Sequence, residues 1–202
     1  AASDVYKRQV AAFTTSTGYG IAKYDNPEEL SVSDRNNIGY QYTDCPLYWI
    51  SVIYLNFAEA KAEMGSLTQD DLNNSINKLQ ARAGLPAMTT TPDADPANNM
   101  GVSNLIWEIR RCRRCELIMD NWYRYWDLIR WHQLDKLDST KYPNTMLGAN
   151  VSNVPDCEEA TKNGYIDASD AQIRTYEAKH YFYPIPTTQL TLNKNMKQNP
   201  GW

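Results

Sequence analysis

The stretch PLYWISVIYLNFAEAKAEMG at positions 46–65, followed by TQDDLNNSINKLQARAGLP at positions 68–86, decides the fold class. The first segment has apolar residues at helical spacing, at Ile50, Ile53, Tyr54, Phe57 and Met64. Gly65 suits a helix C-terminus, and Thr68 with Asp71 resembles a capping box that opens a second helix. Because only about four residues separate the two helices, we expect them to pack antiparallel as a helical hairpin.

A second helical pair is predicted over residues 103–120 and 121–137. Each pair is about 35 residues long, which is the size of a tetratricopeptide unit. Residues 87–101 and the segment from 138 onwards are rich in Pro, Gly, Asn and Asp, which favour loops. We therefore predict a mainly α-helical fold, with tetratricopeptide-like hairpins over 46–137 and a long loop and irregular tail over 138–202.

The composition of the chain narrows the classes of function. The 20 Lys and Arg residues are outnumbered by 24 Asp and Glu residues, so a basic surface for nucleic acid is not expected. No apolar stretch approaches the ~20 residues of a transmembrane helix. The 14 Tyr and 6 Trp residues outnumber the 3 Phe residues, which favours amphipathic contact surfaces over a purely apolar core.

The first nine residues, AASDVYKRQ, resemble translated adapter sequence. We interpret residues 1–9 as a non-native leader, with the natural sequence beginning near Val10. The alternative is an ordinary N-terminal tail. The beginning of the chain has neither the basic nor the apolar region of a signal peptide.

The charged helical pair is predicted to be structural. At 100° per residue, the arginines between Arg110 and Arg114 surround their helix and do not form one binding stripe. We predict interhelical ion pairs, in which bidentate guanidinium geometry suits carboxylates, among Arg113, Arg114, Glu116, Asp127 and Arg130.

The aromatic residues of the same pair leave two interpretations open. Trp122, Tyr125, Trp126 and Trp131 have helical spacing, which favours a place in the core over a sugar-stacking surface. The helical spacing alone favours the core interpretation.

The sequence contains no legible catalytic or metal-binding motif. Cys112 and Cys115 have C-x-x-C spacing, but a zinc site normally has a second pair of ligands, so we interpret them as structural thiols. A carboxylate pair for glycoside hydrolysis meets in space and leaves no sequence spacing, so the sequence is silent on it. We expect no enzyme activity, no metal and no cofactor.

Four parts of the sequence resemble the SusD/RagB family of nutrient-binding lipoproteins of Bacteroidetes. They are YTDCP with YLNFAEA (42–46, 54–60), INKLQARAGLP (76–86), RRCEL with RYWDLIRW (113–117, 124–131), and YPIP with QNPGW (183–186, 198–202). The chain departs from the family pattern at Asp120-Asn121-Trp122-Tyr123, where the family has an acidic residue and Gly and is one residue shorter. The likeness covers the C-terminal portion of such a protein, over 10–202.

The resemblance implies a surface-exposed lipoprotein of the cell outer membrane that captures oligosaccharides without catalysis. It also implies a SusC-like TonB-dependent β-barrel transporter as partner, and a lipid anchor on a cysteine upstream of these residues. An interaction scaffold or a peptide-capturing family member are the alternatives. Among loop aromatics, Tyr142, Tyr165 and Tyr176 are the candidate ligand contacts.

Overall fold

In a computed structural model, residues 15–20, 23, 31, 33–34, 47–154, 161–169 and 171–202 are described. The predicted leader, residues 1–9, lies outside them. The chain divides into two compact units. One is Pro46–Gln133, and the other combines Ala1–Cys45 with Leu134–Trp202.

The Pro46–Gln133 unit is built of helices, and the prediction of a mainly α-helical fold is confirmed. Its helices are α1 (Ile50–Glu63), α2 (Gln69–Asn73), α3 (Ile76–Arg82), α4 (Asn104–Glu116) and α5 (Tyr123–Arg130).

The predicted second helix is in fact two helices, α2 and α3. The capping box forms: Thr68 Oγ1 accepts from Asp71 N at 3.1 Å, and Asp71 Oδ2 accepts from Thr68 N at 2.9 Å. The break falls at Ser75, whose hydroxyl donates to Asp71 O at 2.6 Å while its backbone leaves the helical region. Side-chain hydrogen bonds of this kind compete with the helical ladder, so the helix restarts at Ile76.

The core of this unit lies between α1, α3 and α4. It consists of Val52, Leu55, Ala58, Leu72, Ile76, Leu79, Met88, Ile109 and Leu117. The apolar residues that indicated α1 mostly lie outside it, and Ile50 is 62% exposed. The helix instead buries Ser51, Val52, Leu55, Ala58 and Glu59. The small side chains of Ser51 and Ala58 on that face let α4 approach closely. The buried carboxylate is that of Glu59, whose partners are described below.

The other unit contains a small sheet, which corrects the expectation that 138–202 is irregular throughout. Strands β1 (Leu147–Asn150), β2 (Thr161–Lys162) and β3 (Tyr165–Asp167) are antiparallel in the order β1-β3-β2. Asn163 and Gly164 join β2 to β3, and both have positive φ (54° and 79°), as a two-residue type I′ hairpin turn requires.

Short helical pieces complete this unit. They are the 3₁₀ helices Leu134–Leu137, Pro143–Met146 and Ala178–Tyr181, and α6 (Thr187–Leu192). The predicted fourth helix, 121–137, is shorter in the structure. It corresponds to α5, which ends at Arg130, two residues before His132, whose backbone is left-handed (φ 52°). The Gln198 amide accepts from Ile185 N at 2.8 Å and donates to Ile185 O at 3.0 Å, which ties the last residues to the YPIP segment.

Candidate functional site

Three of the five predicted ion-pair residues, Arg113, Asp127 and Arg130, bond one another in the helical unit. Asp127 Oδ2 accepts from Arg113 Nε at 2.7 Å, and Oδ1 accepts from Arg130 Nε at 2.9 Å. Arg113 and Asp127 are 5% and 3% exposed. The second arm of Arg113 donates to Asn56 Oδ1 at 2.8 Å. A charged pair so far from water needs these hydrogen bonds, because either partner alone would be a buried uncompensated charge.

A second carboxylate, Glu59 of α1, completes the network. Arg130 donates to both Glu59 oxygens, at 3.1 Å and 2.5 Å, and Trp131 Nε1 donates to Oε1 at 2.6 Å. The guanidinium groups of Arg110 and Arg130 lie 4.5 Å and 4.8 Å from the centre of the Trp131 ring. Glu59 thereby links α1 to Arg130 of α5 and to Trp131, the residue after α5.

The remaining two predicted residues are Glu116 and Arg114. Glu116 is bonded by Arg82 Nη2 of α3, at 2.6 Å and 2.8 Å. Arg114 makes no ion pair within the described part of the chain. Each oxygen of Glu59 and Asp127 already accepts at least one hydrogen bond from an arginine or indole donor, which reduces the capacity of these carboxylates to bind a ligand.

A polar cleft of about 190 Å³ in the other unit is a candidate ligand site. Its polar side chains are Ser139, Thr140, Lys162, Asp167, Ser169 and Gln172, beside apolar Met146 and Ile173. Ser169 donates to Asp167 Oδ1 from its hydroxyl at 2.6 Å and its backbone N–H at 3.0 Å. These bonds lower the pKa of Asp167, so at neutral pH this residue presents a carboxylate to the cleft.

None of the three candidate tyrosines lines the cleft. Tyr142 accepts a hydrogen bond from Lys136 Nζ at 2.7 Å, and Tyr165, on β3, is partly exposed. The Tyr176 ring packs edge-on against Tyr181 at 5.7 Å between centroids. Burial, with the hydrogen bond to Tyr181, raises the pKa of Tyr176 to about 12.

Sequence reasoning missed the residues of the cleft, although a signal was present. Asn163-Gly164 is a dipeptide that strongly favours a hairpin turn. In this hairpin Lys162 lies next to the turn, as the last residue of β2, and Asp167 is the last residue of β3.

The tryptophans of the α5 region are divided between core and surface. Trp131 is buried, as the core interpretation predicts. Trp122 and Trp126 are 80% and 53% exposed, so the core interpretation is wrong for both. Trp122 precedes α5 in a left-handed conformation (φ 58°), which turns it out of the helical register that the spacing assumed.

No group of three or more His, Cys, Asp or Glu residues in the described part of the chain could hold a metal ion. Cys112 and Cys115 are free thiols, and burial raises the pKa of Cys112 to about 12. Among the helices that the structure describes, none combines the length and the apolar composition needed to cross a bilayer.

Comparison with known proteins agrees with this architecture. The sequence profile of the SusD family matches residues 3–202. The chain belongs to the SusD family. Proteins of this family bind nutrients and are generally noncatalytic. A comparison with curated protein sequences gives no match.

A solved structure shares the fold of this SusD-family chain. It is the crystal structure of a SusD-like protein from Bacteroides fragilis, with a TM-score of 0.51 and 24% sequence identity. The match covers 75% of this chain and 25% of that protein. The chain thus corresponds to about a quarter of the length of this solved relative.

Proposed function

We propose that the chain belongs to a noncatalytic protein that captures oligosaccharides at the outer-membrane surface for import through a SusC-like TonB-dependent transporter. The observation that carries the proposal is the SusD-family match over residues 3–202, which spans both units. Family membership supports nutrient binding, and the proposal adds the glycan, the transporter and the location.

Four aspartates with lowered pKa values support a role without catalysis. A glycosidase needs a carboxylic acid whose pKa is raised, so that it is protonated near neutral pH. The pKa values of Asp71, Asp95, Asp138 and Asp167 are all lowered, for each of them chiefly by a side-chain hydrogen-bond donor. Glu59 and Asp127 are held by arginines. The four aspartates with lowered pKa values are suited to accept hydrogen bonds and poorly suited to donate a proton near neutral pH.

The polar cleft supports contact with hydroxylated ligands. Hydroxyl, amide, carboxylate and ammonium groups line it together, and each can bond a sugar hydroxyl. Its volume of about 190 Å³ is below the ~300 Å³ at which typical ligand pockets begin. The cleft therefore suits one end or one branch of a saccharide, and a longer chain would use further surface.

The test is isothermal titration of the purified chain against a panel of oligosaccharides, with a parallel panel of peptides. We expect heat on addition of one class of oligosaccharide, and no shorter sugars when the mixture is analysed by chromatography. Release of shorter sugars would contradict the noncatalytic role. Binding of peptides alone would replace the glycan by a peptide ligand. Co-purification with a SusC-like transporter produced together with the chain tests the partner.

A further inference from the structure

Arg114 and Arg124 differ from the other arginines of the helical unit in having no carboxylate partner. Within the residues that the structure describes, neither side chain forms an ion pair or donates a hydrogen bond. Every other arginine of the unit pairs with a carboxylate, and these are Arg82, Arg110, Arg111, Arg113 and Arg130. Acidic residues outnumber basic ones in the chain, 24 to 20, so a shortage of carboxylates does not account for the difference.

The packing of α4 on α5 brings these two arginines near each other. Arg113 Nε donates to Asp127 Oδ2 at 2.7 Å, which ties the last turn of α4 to α5. Arg114 directly follows Arg113, and Arg124 lies three residues before Asp127, one turn away on the same side of α5. Burial lowers the pKa of Arg124, and the charge of Arg114 lowers it further, by more than Asp127 raises it. The two guanidinium groups therefore lie close enough to repel each other.

This arrangement of charges costs the helical unit stability. Arg124 is partly buried, so its guanidinium group loses water without gaining a carboxylate. It also lies in the first turn of α5, where the helix macrodipole disfavours a cation and no acidic residue is present. Arg114 is exposed in the last turn of α4, so the pair can be reached from solvent. An anion bound by both guanidinium groups would offset their repulsion and the lost hydration.

We propose that Arg114 and Arg124 bind the anionic group of an acidic saccharide, either the carboxylate of a uronic acid or a sulfate ester. The planar guanidinium fork bonds two oxygens of such a group at once, and two arginines can hold it from two sides. The inference rests on the proposed function, and it narrows the ligands of that function to oligosaccharides that carry negative charge.

The charge of the arginine pair favours an acidic saccharide over a neutral one. The hydroxyl oxygens of a neutral sugar can accept from a guanidinium group, but they do not offset the repulsion between two cations. A carboxylate or sulfate group does both, and its hydrogen bonds to a cation are about twice as strong as neutral ones. Proteins of the SusD family bind nutrients, which favours an acidic sugar over an acidic segment of another protein.

The test combines thermal unfolding and titration calorimetry of the 202-residue chain at low ionic strength. The acidic probes are an oligogalacturonate, an alginate oligosaccharide and a sulfated galactose oligosaccharide, and the neutral control is the same oligogalacturonate with its carboxylates methyl-esterified. We expect at least one acidic probe to bind and to raise the melting temperature, and the esterified control to do neither. Added salt should weaken the binding, because it screens the charges.

Substitutions of the two arginines locate the contact. Arg114→Gln and Arg124→Gln each remove one of the two cations, so the affinity for the acidic probe should fall about tenfold in each. Arg124→Lys keeps the charge without the fork and should recover part of the loss. Lys194→Gln, which removes an exposed cation of the other unit, is the matched control and should bind like the parent chain. Without ligand, Arg124→Gln should melt no lower than the parent chain, because it removes a charge that has no partner.

The outcomes separate the anion site from the proposed function. If acidic and esterified probes bind equally and the arginine variants bind like the parent chain, the anion site is wrong and glycan capture stands. If no acidic probe binds, the anion site is wrong, and titration of neutral oligosaccharides into the same samples shows whether glycan capture fails too. If an oligoglutamate peptide binds in place of the acidic probes, with the same loss in the variants, the saccharide is the wrong ligand. If Arg124→Gln melts well below the parent chain, the side chain serves the fold and the proposal is overturned.

Discussion

Replacement of Asp127 with Ala tests the structural role of the buried ion pairs. The substitution removes two charge-assisted hydrogen bonds, of 2.7 Å from Arg113 and 2.9 Å from Arg130. Among the described residues, Arg113 keeps the Asn56 amide oxygen as a hydrogen-bond acceptor and stays buried, whereas Arg130 is partly exposed and keeps Glu59. Removal of one partner of a buried pair costs about 3–5 kcal/mol, and the exposure of Arg130 puts our expectation near ~3 kcal/mol.

The assay is urea unfolding followed by far-ultraviolet circular dichroism and tryptophan fluorescence. The chain has two units, which can unfold in separate transitions. The free energy of unfolding is therefore taken from the transition of the helical unit, on condition that circular dichroism and fluorescence give the same midpoint for that transition. Arg82→Gln is the matched control, since the Arg82 side chain is 65% exposed and its pair with Glu116 should contribute less than ~1 kcal/mol.

A double variant separates lost attraction from an uncompensated charge. Arg113→Met combined with Asp127→Leu leaves no isolated charge at this position, so it should recover most of the stability that Asp127→Ala loses. The reasoning is refuted if Asp127→Ala costs no more than Arg82→Gln. It is also refuted if Asp127→Ala leaves the unfolding free energy unchanged and abolishes oligosaccharide binding.

Further predictions concern the other unit and the thiols. Gly164→Ala should lower the melting temperature, because φ is 79° and the added Cβ would lie 2.1 Å from Ser152 Oγ; a thermal melt checks this. The Thr140 hydroxyl and the Tyr176 N–H hold the pKa of Asp138 at about 2, below its ordinary ~3.9. Its charged form should therefore stabilise the fold fully above about pH 4, and this stabilisation should be lost as the pH falls towards 2. Unfolding at a series of pH values should show a smaller loss over this range for Asp138→Asn. Iodoacetamide at mild alkaline pH should label exposed Cys115 well before Cys112, as peptide mass spectrometry would show.

Local sequence patterns predicted which segments are helical better than they predicted which face of each helix is buried. The apolar spacing of Ile50, Ile53 and Phe57 gave the correct type of element for α1 but not its buried side. The buried side includes Ser51 and Glu59, which no hydropathy pattern selects. Glu59 is buried because Arg130 and Trp131, some seventy residues later, donate to it, and that contact exists only in the folded chain.

The candidate site was less predictable than the fold for a similar reason. Tyr142, Tyr165 and Tyr176 were chosen because they lie in loops, but loop position does not say where a ring points. The structure uses the Tyr176 ring against Tyr181 and the Tyr142 hydroxyl for Lys136. Trp122 is 80% exposed and has a φ of 58°, and helical spacing reveals neither.

The segments that identified the family are the ones that the fold uses internally. RRCEL and RYWDLIRW supply Arg113 and Asp127, which bond each other, and Arg130, which bonds Glu59 of YLNFAEA. In the last segments, Gln198 of QNPGW bonds both main-chain groups of Ile185 in YPIP.

Side chains already committed to one another in this way have few free donors or acceptors for a ligand. The paired residues of these segments therefore say little about the ligand. Residues that contact a ligand should lie where the fold leaves polar groups unused. Arg114 and Arg124 meet this condition, because they belong to RRCEL and RYWDLIRW and pair with no carboxylate in the described part of the chain.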